Sequence, residues 1–226
     1  FIAKSDQSYT ISYGLSGITD VRVSPLIQSE WGQTHDGTGE YCYNYYTPNH
    51  YPSGCVATAM AQLMRYHQYP TAGIGVTSFQ IYVADVASYH STRGGNGSGG
   101  PYNWSDMPLV PVGANATQRS AIGALCYDAG VAVSMNYTEN WSGAFLYYPQ
   151  YSGDTDRALV NVFDYSNCIA GHNTNGISTA SLNQMINSNL DASLPVILGI
   201  YDSANPETSG HAILADGYGF NTETLY

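Results

Sequence analysis

Apolar side chains at positions 56, 59, 60, 63 and 64 return every three or four residues and mark the clearest helix in this chain of 226 residues. Val56, Ala59, Met60, Leu63 and Met64 fall at i, i+3, i+4, i+7 and i+8, the period of an amphipathic α-helix. Ala57 and Ala61 keep the other side small. The spacing therefore predicts a helix over Cys55–His67 that is buried nearly all round. Ser53, just before Gly54, is its expected N-cap. Tyr69-Pro70 ends it, and Arg65 and His67 bring positive charge to the C-terminal end, where the helix dipole favours it.

The rest of the pattern is weaker. Residues 1–20 show no period and read as an arm or linker, residues 23–31 as a short segment ending in a Trp-Gly-Gln turn, and residues 34–54 as loop. The run 91–100 (STRGGNGSGG) has the composition of a flexible loop. A second helix is predicted over 117–129, closed by Gly130, and two more near 156–163 and 181–190. The runs 195–201 (PVILGIY) and 211–218 (HAILADGY) are β-branched or apolar stretches bounded by turn residues, and read as strands. Helices first and strands later imply an α+β fold, a mainly helical lobe over about 22–150 and a mainly β lobe over about 151–226.

Composition narrows the function classes. Charged residues are 10% of the chain and apolar ones 43%, while tyrosine alone occurs 21 times. Solubility thus rests on Tyr, Asn, Ser, Thr and Gly, which suits a protein outside the cytoplasm. Seventeen acidic residues against six basic ones give a net charge of −11. Nucleic-acid binding needs clustered Lys and Arg to displace counterions, and anionic membranes repel such a chain, so both partners are set aside. No apolar run reaches the roughly 18–20 residues of a membrane span. A start at Phe1, without Met, fits a processed or trimmed product.

Four cysteines, Cys42, Cys55, Cys126 and Cys168, permit two disulfides in an exported chain. No CxxC or close Cys/His pair occurs, so no metal site is expected. Cys55 stands apart because it opens the first turn of the predicted helix. Free N–H groups and the helix dipole there favour a thiolate, the reactive form of a thiol nucleophile. Gly54 before it presents no side chain to an approaching substrate. A small buried hydrophobe at a helix start is the competing reading. His211 follows Gly210 and opens an apolar strand, a rigid support for an imidazole. A Cys and a His far apart in sequence are the usual arrangement in thiol proteases, but spacing alone does not choose among the six histidines.

The run SGCVATAMAQLMRYHQYP (53–70) resembles the nucleophile helix of the streptopain peptidases, clan relatives of papain, and SGHAILADGYG (209–219) resembles that family's histidine strand. Shorter runs fall in register with them: SPLIQSEWGQ (24–33), PYNWSDMPLVP (101–111), ALCYDAGVAVSMNY (124–137) and LDASLPVIL (190–198). The resemblance covers about residues 22–226. It implies a papain-like fold, with the cysteine helix in one lobe and the histidine strand in an antiparallel β lobe, and hydrolysis of peptide bonds by Cys55 with His211 as base, without cofactor. Position 49, six residues before Cys55, is Asn and not Gln, and the family's oxyanion glutamine lies further upstream, in the segment matching Trp31-Gly32-Gln33, so the resemblance places Gln33 as side-chain oxyanion donor. It places substrate backbone contacts at Gly210 and in the segment 140–144, where Ser142 and Gly143 are the candidates and Trp141 departs from the family's Ser-rich pattern.

The family's histidine strand is followed by an Asn-Trp-Gly-Trp-like segment that holds the histidine, and Tyr226 falls just before it, so the chain reads as truncated there. The family also implies a zymogen, secreted and bacterial, in which residues 1–21 are a propeptide tail or surface arm. Protein or peptide substrates, a propeptide or a proteinaceous inhibitor are the expected partners. Asp216 is rejected as a triad acid, since five strand positions put it about 16–17 Å from His211 on the opposite face. Two rivals share the apparatus: a transglutaminase-like or acetyltransferase-like acyl transferase, and a catalytically silent binding domain of the same fold.

Overall fold

A computed structural model of the chain describes residues 20–144, 154–170, 177–201, 204 and 210–220. Most of the arm at 1–20, His172 and the residues after Phe220 lie outside that set.

The predicted central helix, α1, spans Cys55–His67, with Val56 to Ala61, Leu63 and Met64 all buried. Gly54, and not Ser53, occupies its N-cap position, at φ +87° and without a side-chain cap. Ser53 is instead buried, its hydroxyl paired with that of Thr58 at 3.2 Å. The helix ends at Gln68, whose left-handed backbone lets its N–H reach back to the carbonyls of Arg65 and Met64.

The second helix, α2, covers Ala116–Ala132 and is buried continuously from Ile122 onward. It begins at a capping box: Asn115 Oδ1 accepts from the Gln118 N–H, and the Gln118 side chain accepts from the Asn115 N–H, both at 3.0 Å. Gly130 does not close this helix, which runs on to Ala132. A Cβ at 130 would sit 2.1 Å from the Tyr137 hydroxyl, so the glycine serves close packing and not termination. α1 and α2 pack on each other and form the core with Trp31, Met107, Met135, Tyr137 and Phe163.

The elements do not run helices first and strands later. Between α1 and the segment after α2 lies a four-stranded sheet: β2 (Ser78–Val83), β3 (Val86–Ser91), β4 (Asn136–Tyr137) and β5 (Ser142–Gly143), in the order β3-β2-β4-β5. β2 and β3 form an antiparallel hairpin, β4 lies parallel to β2, and β5 returns antiparallel to β4. Two helices follow, α3 (Thr155–Asn161) and α4 (Thr179–Asp191), the latter capped by Ser178, whose Oγ accepts from the Ser181 N–H.

The C-terminal apolar runs pair as expected for strands. β6 (Val196–Ile200) lies antiparallel to β7 (His211–Ala215), with Ile200 opposite His211. The run 211–218 is not one strand, because Asp216 breaks it. The Asp216 carbonyl accepts from the Leu26 N–H at 2.8 Å and its carboxylate from the Ile27 N–H at 3.1 Å. After this break β8 (Tyr218–Phe220) pairs with β1 (Asp20–Val23), which straddles the boundary drawn between arm and domain. The run 91–100 is tied down despite its composition. Asp128 in α2 accepts from the N–H groups of Arg93 and Gly94, and Asn96 Oδ1 from those of Ser98 and Gly100. No helix among the described residues is long and apolar enough to cross a membrane.

Candidate active site

Cys55 is the first residue of α1 and is only partly buried. The first turn holds no acidic side chain, so nothing there opposes the dipole's preference for an anion. The other three thiols have different surroundings. Burial pushes Cys42 up to about 12, Cys126 well above the ordinary thiol value and Cys168 upward. Burial thus disfavours the thiolate at all three, although Cys168 is partly exposed like Cys55.

Segments far apart in sequence meet at the start of α1. The Gln33 carbonyl accepts from the Ser53 N–H at 2.9 Å, and the Gly32 carbonyl from the Thr58 hydroxyl at 3.2 Å. The 32–33 backbone is therefore stitched to α1 on both sides of Gly54-Cys55. On another side lies β5, because a Cβ at position 54 would fall 2.9 Å from the Ser142 carbonyl oxygen and 2.8 Å from Met135. Ser142 Oγ is buried and has no hydrogen-bond partner among the described residues. Gly143 is half-buried beneath the Trp141 ring, which a Cβ at 143 would approach to 2.9 Å. Trp141 itself is 57% exposed, a large aromatic at the rim beside β5.

His211 opens β7, and β7 packs directly on α1. Ala212 and Leu214 join the core against which Cys55 packs. The imidazole is half-buried, and burial lowers its pKa below the ordinary 6.5. Its Nε2 is buried with no partner among the described residues. Gly210, next to it, is exposed, and no atom of the described residues lies within 4 Å of where a Cβ would be. The other described histidines are engaged elsewhere. His35 and His50 stack on Tyr41, His67 packs edge-on against Tyr66 and Tyr165, and His90 Nδ1 lies 3.2 Å from the Tyr127 hydroxyl.

Thr58 is a positioning residue that the sequence reading missed. Its buried hydroxyl lies within hydrogen-bond distance of the carbonyls of Gly54 and Gly32 and of the Ser53 hydroxyl. The readable signal was a threonine on the inward side of the helix, one turn after the cysteine. Gly54 is the second positioning element, since both its positive φ and its contacts exclude a side chain. The Gly54→Ala variant is expected to lose roughly 2–4 kcal/mol of stability from strain and overpacking. Denaturant unfolding measures that loss, and slower alkylation of Cys55 reports the displaced helix start.

The chain matches the Peptidase C10 family over residues 35–226. Gln33 falls two positions before that span. Against the thiol protease/hemagglutinin PrtT of Porphyromonas gingivalis it is 29% identical over 167 residues, which cover 74% of this chain and 18% of that protein. Against streptopain of Streptococcus pyogenes it is 29% identical over 177 residues, covering 74% of this chain and 40% of streptopain. The chain thus spans less than half the length of either relative. Among solved structures, active wild-type interpain A, a cysteine protease of Prevotella intermedia, superposes with a TM-score of 0.70 at 26% identity, covering 91% of this chain and 80% of that one. A prointerpain A fragment gives a TM-score of 0.68, also at 26% identity, over 91% of this chain and 61% of that one. With its α+β architecture, its papain-like neighbours and a family match over most of its length, this chain belongs to the Peptidase C10 family, the streptopain family of cysteine peptidases.

Proposed function

We propose that this chain is the peptidase portion of a secreted or cell-surface bacterial protein and hydrolyses peptide bonds through a Cys55–His211 dyad. The observation that carries the reading is the partly exposed Cys55 thiol at the start of a buried helix, against which the strand opened by His211 packs. His211 takes the Cys55 proton, and the thiolate adds to the scissile carbonyl carbon. The tetrahedral adduct collapses as His211 returns the proton to the departing amine, leaving a thioester on Cys55. Water, losing a proton to His211, adds to the thioester carbonyl, and collapse releases the carboxylic acid and the thiol. The Cys55 N–H and the Gln33 side chain stabilise the two oxyanions, and Gly210, Ser142 and Gly143 hold the substrate backbone. The exposed, Lys-poor surface and the bacterial relatives support secretion, and the prointerpain neighbour supports a propeptide as partner.

Labelling with a peptide-based cysteine-protease inactivator, followed by mapping of the modified residue, tests this reading. Modification of Cys55 alone is the expected result, and an unreactive Cys55 in folded protein overturns it.

The half-buried imidazole sets a pH signature. Because the folded state lowers the His211 pKa, the imidazole is neutral near pH 7 and able to accept the thiol proton. The acid limb of kcat/KM is expected to have its midpoint below 6.5. The same shift contributes stability above about pH 6.5 that is lost as the pH falls through the folded-state value. A pH–rate profile whose acid limb lies above 7 would contradict it.

A further inference from the structure

A second site lies on the other end of the cysteine helix. Arg65 is ten residues after Cys55, about 15 Å along the α1 axis. It borders a cleft of about 280 Å³ whose apolar walls include Leu26, Ile27, Tyr66 and Leu109. The walls are fixed by backbone and side-chain hydrogen bonds. Leu26 and Ile27 donate to Asp216, the Leu109 carbonyl accepts from the Glu30 N–H at 2.8 Å, and the Tyr66 hydroxyl donates to the Ser193 carbonyl at 3.2 Å.

Arg65 is electrostatically unfinished. Its Nε donates to the Met107 carbonyl at 2.7 Å, and its Nη groups have no partner among the described residues. The other described arginines differ. Arg22, Arg119 and Arg157 each pair with a carboxylate, and Arg93 lies 3.4 Å over the Tyr46 ring. In a chain with seventeen acidic residues and six basic ones, it is unexpected that the half-buried Arg65 pairs with no carboxylate among the described residues. A planar fork of free N–H donors beside an apolar cleft suits a carboxylate carried next to an apolar side chain.

We infer that this cleft is an exosite for a peptide segment presenting an Asp or Glu side chain beside a bulky aliphatic one, with Arg65 as the carboxylate receptor. The choice of a peptide as ligand rests on the peptidase reading, whereas the carboxylate preference rests on Arg65 alone. Occupancy here would hold a protein substrate or propeptide by a feature remote from the cut bond.

The test uses the Cys55→Ala chain, which cannot form a thioester, so binding is read whether or not the catalytic assignment is right. A fluorescein-labelled pentapeptide amide, Gly-Leu-Glu-Leu-Gly, is titrated by anisotropy against the same peptide with Gln in place of Glu. Net repulsion from a protein of charge −11 would favour the Gln peptide. The inference expects the reverse, with the Glu peptide bound at least about tenfold more tightly. Adding Arg65→Met, which keeps the apolar stem, is expected to abolish that preference. Arg65→Lys, which keeps the charge, is expected to retain part of it. Circular dichroism confirms that each variant is folded, and the Lys variant carries the test if the Met variant is not. Equal binding of the two peptides to the Arg65 chain, or a preference for Glu that survives in Arg65→Met or vanishes in folded Arg65→Lys, overturns the inference.

Discussion

Replacement of Cys55 by alanine is expected to lower kcat on peptide substrates by at least about 10⁴-fold while shifting unfolding stability by less than about 1 kcal/mol. The two readouts part because the thiol is chemically central and structurally minor. It is small and partly exposed, and it opens the helix without capping it. The His211→Ala variant is expected to lose activity on the same scale. The double variant should be no worse than either single one, since nucleophile and base act as a unit. Cys42 gives the contrast. It is fully buried in the core, so Cys42→Ser should cost stability and leave the kcat of the folded fraction unchanged. Turnover above one per cent in Cys55→Ala would mean that another group attacks the carbonyl.

The two halves of the site were not equally legible in the sequence. The bounds of α1 agree with its apolar stripe and with the stop expected at Tyr69-Pro70, although its first turn is entered through Gly54 and not through the Ser53 cap that the sequence suggested. Convergence of residues 32–33 and 142–143 on the helix start was not readable from spacing. It is made by backbone hydrogen bonds and close approaches between residues about twenty to ninety positions apart, and only resemblance pointed to those segments. The β2–β3 hairpin was missed for a local reason. Its turn, Ala84-Asp85, has positive φ at both residues, 49° and 64°, yet carries no Asn-Gly or Gly to announce it. Gly130 misled in the opposite direction. A glycine near a predicted helix end reads as a terminator, whereas here it clears space for Tyr137, a tertiary demand that no local pattern expresses.

Asp128 carries the largest stability effect expected of a single polar side chain. It is fully buried in α2, and three donors converge on it: the N–H of Arg93 at 2.7 Å, the N–H of Gly94 at 2.8 Å and the Tyr102 hydroxyl at 2.6 Å. Burial pushes its carboxyl up to about 6, more than those donors pull it down. Against water, then, the charge is not a net stabiliser. The fold depends on it all the same, because the loop it holds has no other acceptor for these three groups among the described residues. Asp128→Ala is expected to cost about 3–5 kcal/mol and to free the 93–102 loop for proteolysis, while Asp128→Asn, which keeps one acceptor oxygen, should cost less. The pH signature follows from the raised value. The native carboxyl keeps its proton at a pH where the unfolded one has lost it, so this group's contribution to stability is greatest below about pH 4 and declines until about pH 6. Asp128→Asn should remove that slope. Urea unfolding of the three proteins at pH 4.5, 6 and 7.5 measures both effects, and a loss below about 1 kcal/mol in Asp128→Ala at pH 7.5 would show that water replaces the carboxylate at little cost.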